Sequence, residues 1–331
     1  MHDILVSISC ITYNHEKYIA KAIEGFLMQK TSFQYEILIH DDASTDKTAY
    51  IVKEYERKYP KLIKPIYQNE NQYSKGVKVG LLNTKRAKGK YLAICEGDDY
   101  WTDPNKLQKQ VNYMENNPDC TMCFHNANII NENGLSTGKM LIDKSISSRK
   151  YTAGELAVLG FIPTASKIYL KSIFDHPPEW YSKSVVGDYP SQLIIASHGY
   201  AYYINESMSN YRTLSSGSAS ERFNKKSTKE KIHYINGFID ILNNFNEYSN
   251  YKYAEEIEKA KIIREIKILV LKKSIQDLKD PRYKVYYDEL GITGKLKLYG
   301  RSYFPELYTQ LANVKAQLNK VYHRATYKIK V

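Results

Sequence analysis

The chain has 331 residues, 43% of them hydrophobic and 25% charged, with a formal net charge of +12. This length and balance suit a soluble globular protein with a sizeable core, built as one large or two medium domains. No apolar run approaches the roughly 18 residues that a membrane-crossing helix needs, and the N-terminus lacks the basic-then-apolar order of a secretory signal, so a cytoplasmic chain is expected.

Residues 4–11 (ILVSISCI) read as an apolar strand. Over 15–29, Ile19, Ala22, Ile23, Phe26 and Leu27 fall at helical spacing, with Asn14 placed to cap them. Residues 35–40 (YEILIH) form a second strand, and Ile51, Val52 and Tyr55 mark the next helix. Residues 62–68 form a third strand, whose Pro65 suits an edge or a bulge. A helix near 77–88 and a strand at 90–95 follow. Further on, 104–117 reads as a helix, 120–130 as a strand, 131–150 as a polar loop and 161–170 as a strand. Residues 185–197 read as a turn entering a helix, and 199–212 as two short strands. The run SSGSAS (215–220) has linker composition. Helices are expected over 228–279, with Ile232, Ile235, Ile239 and Leu242 in one stripe and Ile263, Ile266, Val270 and Leu271 in another. The last segment, 305–328, carries an apolar stripe with basic flanks.

Strand and helix alternating in this way predict an α/β fold with a parallel sheet covered by helices. Ligands of such sheets bind at the carboxyl ends of the strands. The polar clusters Thr12-Tyr13-Asn14, Asp41-Asp42 and Asp98-Asp99 all follow predicted strand ends, so they should converge on one rim. Two adjacent carboxylates repel unless a cation joins them or water solvates them as an ordinary turn. Cys10 and Cys95 lie in apolar strands, and Cys120-x-x-Cys123 is only half of a zinc motif. Residues 221–331 carry 23 Lys and Arg against 13 Asp and Glu. That basic appendage suits an anionic partner or a solvated face, and no nucleic-acid recognition module accompanies it.

The stretches VSISCITYNHEKYIAKAIEGFLMQ, YEILIHDDASTDKT and GKYLAICEGDDYWTDPNKLQKQ resemble inverting family-two glycosyltransferases of the bacterial polysaccharide type, which have the GT-A (Rossmann-like) fold. The likeness is close over the first 110 residues and loose over 120–215. It implies a mostly parallel central sheet flanked by helices in residues 1–215, with a nucleotide-binding half (1–100) and an acceptor half (101–215). A basic, mainly helical C-terminal region (216–331) would follow.

The resemblance further implies a nucleotide-sugar donor, UDP or dTDP, bridged by Mn²⁺ or Mg²⁺. Asp99 would bind the metal, and Asp98 would reach the ribose, the sugar or the metal through water. Thr12, Tyr13, Asn14 and Asp42 would form the nucleoside site, where a carboxylate suits the N3–H of uracil or thymine. Asp188 in VVGDYPSQLII would be the base that takes the acceptor hydroxyl's proton in a single displacement. Asp188 also suits a helix start. Arg212 would lie beside the diphosphate; Leu214 stands where many relatives carry His, which leaves charge neutralisation by Arg212. Trp101, Thr164 and Ser166 would line the acceptor pocket, Trp101 being equally suited to the core. The acceptor would be a glycan or lipid-linked glycan. The C-terminal stripe would meet an anionic membrane face, pack on the body or join a second subunit. A non-catalytic nucleotide-sugar or glycan-binding module and a sugar nucleotidyltransferase are the competing readings.

Overall fold

The computed structural model describes residues 3–213, 219–289, 291–304 and 307. Strand β1 (Ile4–Thr12) leads to helix α1 (Ile19–Leu27), β2 (Gln34–Asp41), α2 (Thr48–Lys58), β3 (Ile63–Tyr67), α3 (Val79–Arg86) and β4 (Tyr91–Glu96). These strands pair in parallel in the order β3-β2-β1-β4, with Pro65 on the edge strand where its missing N–H is tolerated. The stripe of α1 is its buried face: Ile19, Ala22, Ile23 and Phe26 are fully enclosed. Burying each of the larger ones is worth roughly 1.5–3 kcal/mol.

Short β5 (Tyr100–Trp101) then precedes α4 (Lys106–Asn116), β6 (Cys120–Ile130), β7 (Ser136–Met140), β8 (Arg149–Tyr151) and α5 (Ala153–Leu159). Next come β9 (Ile168–Leu170), α6 (Glu179–Lys183), α7 (Asp188–Ser197) and β10 (Tyr200–Arg212). The sheet continues through β9, β6, β10 and β5, and here most pairings are antiparallel, so the whole is a mixed sheet with a parallel half. The four cysteines are free and buried.

Several expected elements differ. The 161–170 strand shrinks to β9, because Pro163 begins a 3₁₀ turn in which the Ser166 amide and hydroxyl both donate to the Pro163 carbonyl, at 3.0 and 2.6 Å. Residues 199–212 form one long strand with register shifts, not two strands. The polar 131–150 loop contains β7, whose exposed STGKM offers no apolar alternation to read.

Beyond β10 come α8 (Ala219–Lys225), α9 (Thr228–Tyr248), α10 (Ala254–Leu271), α11 (Pro281–Glu289) and α12 (Gly291–Tyr303). On α10 the buried residues are Ile257, Ala260, Ile262, Arg264 and Ile268, a different face from the expected stripe. The chain divides into two compact units, 1–225 with 240–257, and 226–239 with 258–331. The first therefore runs ten residues past the expected 215 and takes back a later segment. Most of SSGSAS and, apart from Leu307, the 305–328 stripe after Phe304 lie outside the described residues. Among the described residues no helix is long and apolar enough to cross a membrane.

One buried charge titrates near neutrality. Lys106 is fully enclosed, 4.0 Å from the Trp101 ring centroid, and its Nζ donates to Gln110 Oε1 at 2.7 Å. Burial holds its pKa at about 7. Below that value folded and unfolded chains both carry the proton; between about 7 and the ordinary lysine value only the unfolded chain does, so stability rises with pH in that window. In urea unfolding at pH 7, 8 and 9, the wild type should gain on Lys106→Met by on the order of 1 kcal/mol per pH unit. Parallel pH profiles would show that the ammonium is not desolvated.

Candidate active site

Parallel pairing brings the three expected strand ends together. Thr12 pairs with Asp41, Ile11 pairs with Glu96, and the Asp42 and Gly97 amides donate to the carbonyls of Thr12 and Ile11 at 3.0 and 2.9 Å. The loops after β1 and β2 are then laced together. Asn14 Oδ1 accepts the Thr45 amide at 2.8 Å, the Asn14 amide donates to Ser44 Oγ at 2.9 Å, and the His15 and Glu16 amides donate to Thr48 Oγ1 and Asp46 Oδ2 at 2.8 and 3.0 Å. Asn14 therefore does not cap α1. It sits in the left-handed region (φ +55), which Asn tolerates, and its side-chain oxygen holds the second loop.

Asp42 also departs from expectation. It is 1% exposed, and its two carboxylate oxygens accept the backbone amides of Gln72 and Tyr73 at 2.8 and 3.0 Å. Its carboxylate anchors the 72–73 turn instead of facing outward to a base, since two amide donors satisfy it inside the protein. Of the expected nucleoside set Tyr13, 42% exposed, and Asn14 are open to solvent, and Thr12 is buried.

The turn after β4 carries Glu96, Asp98 and Asp99. A glycine is required between them: a Cβ on Gly97 would lie 2.6 Å from Thr12 Oγ1 and 2.9 Å from His15 Nδ1. Asp99 is 2% exposed, its Oδ1 accepts the Arg212 amide at 2.8 Å, and its buried Oδ2 has no hydrogen-bond partner. Burial first, then the charge of Asp98, pushes the Asp99 carboxyl well up. Glu96, whose side chain is exposed at the strand end, is pushed up too, by desolvation from the protein atoms around it and then by Asp98 and Asp188; Lys167 and Arg222 oppose that rise. Such a cluster favours any cation that joins it. Among the described residues no three metal-ligating side chains gather into a self-sufficient site. Mg²⁺ and Mn²⁺ sites that share ligands with substrate phosphates need only one or two carboxylates. The unpartnered Asp99 Oδ2, with half-buried Asp98 beside it, fits that requirement.

Asp188 is the first residue of α7 and half-buried, its Oδ1 accepting the next amide at 2.9 Å. It serves the helix start electrostatically without capping the later amides. Its charge reaches Glu96, Lys78 and the 4%-exposed Lys167. Tyr211 feels the whole group: burial, then Asp99, Glu96, Asp98 and Asp188, raise its phenol. The acidic residues of the turn after β4 and Asp188 thus all lie within electrostatic reach of one side chain.

Four further expected residues lie as follows. Arg212 is 6% exposed; Nε donates to the Asp98 carbonyl at 2.9 Å, Nη1 to the carbonyls of Asn131 and Glu132 at 3.1 and 2.7 Å, and the guanidinium stacks 4.2 Å over Tyr18. Through Nε and Nη1 it latches the acid turn to the 131–132 turn. Trp101 is 1% exposed, packed edge-on against Phe26 with its indole donating to the Ala165 carbonyl at 2.8 Å, so the core reading holds. Ser166 is fully buried with its hydroxyl on Pro163, and Thr164 is 9% exposed. Sequence reasoning missed Glu96, Lys167, Tyr211 and the exposed Arg222, whose guanidinium lies 5.5 Å from the Tyr73 ring.

A parallel half joined to an antiparallel half, with an acidic turn at the junction, defines a GT-A-type fold. The chain belongs to glycosyl transferase family 2, whose profile matches residues 7–176. An uncharacterised protein of Mycobacterium tuberculosis is 40% identical over 185 residues, 53% of this chain and 52% of that protein. The Escherichia coli UDP-Glc:α-D-GlcNAc-diphosphoundecaprenol β-1,3-glucosyltransferase WfgD is 36% identical over 152 residues, 45% of this chain and 56% of that protein. The chain thus spans about half the length of these curated relatives. The solved structure of S. aureus TarS 1-349 in complex with UDP-GlcNAc superposes with a TM-score of 0.60 at 17% identity, covering 85% of this chain and 78% of that one.

Proposed function

We propose that the protein is an inverting glycosyltransferase that moves a sugar from a UDP- or dTDP-sugar to a hydroxyl of a glycan or lipid-linked glycan. The observation that carries this reading is the convergence of three acidic or polar strand ends on one rim, where Asp98, Asp99, Glu96 and Asp188 all act on the Tyr211 phenol. Asp99 Oδ2 and Asp98 would hold Mn²⁺ or Mg²⁺ together with the donor diphosphate. The ion, when bound, would supply positive charge to the leaving diphosphate. Tyr13 would flank the base, with Asp42 shaping that side by holding the 72–73 turn. Asp188 would accept the acceptor hydroxyl's proton as that oxygen attacks the anomeric carbon from the face opposite the leaving group. The UDP-linked donors in the names of WfgD and the TarS complex support uridine, and the WfgD acceptor supports a lipid-linked glycan. An acceptor of that kind would be met at the anionic inner face of the membrane, which the +12 charge favours; a homo-oligomer through the C-terminal helices belongs to the same proposal.

The test is a thermal-shift panel of nucleotide sugars with and without Mn²⁺. A ligand at about 100 times its Kd stabilises by about 2.7 kcal/mol, which for a domain of this size is several degrees. UDP-sugar and Mn²⁺ together should raise the midpoint more than the sum of their separate effects. No shift with any nucleotide sugar would remove the proposal.

A further inference from the structure

With Trp101 turned into the core and Ser166 buried, the open aromatic surface near Asp188 belongs to other residues. Phe161 is 44% exposed, and its ring centroid lies 5.6 Å from that of Tyr211, with the planes at 58°. Both rings are tied to the candidate machinery. Gly160 ends α5 with φ +81, a conformation that costs glycine little, and so swings Phe161 outward. The Gly160 carbonyl accepts Gln192 Nε2 at 2.6 Å, and the Tyr189 hydroxyl donates to the Ala157 carbonyl at 2.8 Å. Gln192 and Tyr189 are buried residues of α7, the helix that Asp188 begins. The turn presenting Phe161 is therefore bolted to the helix of the expected base. On the other side, Tyr211 immediately precedes Arg212, whose amide holds Asp99 at 2.8 Å.

We propose that Phe161 and Tyr211 form the acceptor-sugar platform, on which a pyranose ring stacks against Phe161 while the Tyr211 hydroxyl bonds one of its oxygens. This rests on the transferase reading above. A pyranose offers an apolar C–H face with a polar rim, and an exposed ring with a phenol at its edge matches both. Burial first, and then the charges of the nearby carboxylates, raise the Tyr211 phenol, which stays protonated and hence a donor. A sugar seated there would lie beside the strand end that holds Asp99 and the turn bolted to the helix of Asp188.

Saturation-transfer NMR on the full chain tests this, with UDP and Mn²⁺ present and the methyl pyranosides of glucose, galactose, mannose and N-acetylglucosamine as probes. At least one pyranoside should bind the wild type, Phe161→Ala should weaken it by about tenfold, and Phe161→Tyr should restore it, with UDP affinity unchanged throughout. Equal pyranoside binding by Phe161→Ala overturns the proposal. So does the absence of any pyranoside signal from a wild type that binds UDP. A wild type that does not bind UDP removes the transferase reading and the platform with it.

Discussion

Asp99→Asn should abolish metal-dependent transfer, lowering turnover by about a thousandfold or more, while leaving the protein at least as stable as the wild type in the absence of metal. The activity loss follows from removing the one buried carboxylate oxygen among the described residues that lacks a protein partner: as a metal ligand it would contribute several kcal/mol of charge stabilisation to the leaving diphosphate. The stability result follows from the same geometry. Burial and Asp98 push the Asp99 carboxyl up, so its charged form is disfavoured unless a cation joins it. An asparagine of the same shape removes that charge and still offers an oxygen to the Arg212 amide. Turnover measured across a Mn²⁺ titration, with melting in a chelator, separates the two effects. A variant that keeps Mn²⁺-dependent turnover would show that the metal is held elsewhere.

Asp188→Asn should lower kcat by about 10²–10⁴-fold with UDP affinity nearly unchanged. Asparagine retains an oxygen for the Tyr189 amide and forfeits only the favourable charge at the start of α7, roughly 0.3–1 kcal/mol. A catalytic Asp188 therefore predicts a large rate loss with a small stability loss. If the melting temperature and UDP binding fell in step with activity, the residue would be serving the helix alone.

The strands and helices that build the rim were legible because their apolar stripes are long and regular: α1 buries the face read from Ile19, Ala22, Ile23 and Phe26. Which way each polar side chain points was not. Asp42 and Arg212 are both taken up by backbone groups of distant turns, the amides at 72–73 and the carbonyls at 98, 131 and 132. Such partners depend on the path of a loop, which spacing does not encode. Trp101 faces inward because β5 pairs with β10 at Ser209, a contact between residues more than a hundred positions apart. Tyr211 carried no readable signal: with Arg212 expected beside the diphosphate, strand alternation would have turned its neighbour the other way. Glu96 did carry one, since it ends the strand that delivers Asp98 and Asp99.

The return of residues 240–257 to the first compact unit has a practical meaning for anyone trimming the protein. Glu256 packs so closely on α5 that a methyl group at Gly154 would touch its side chain at 2.9 Å, and α5 ends in the turn that carries Phe161. A shortened polypeptide stopping near 215 would lose part of the scaffold beneath its own substrate-facing surface. The smallest self-supporting catalytic piece should therefore extend to at least residue 257, whatever purpose the remaining helices serve.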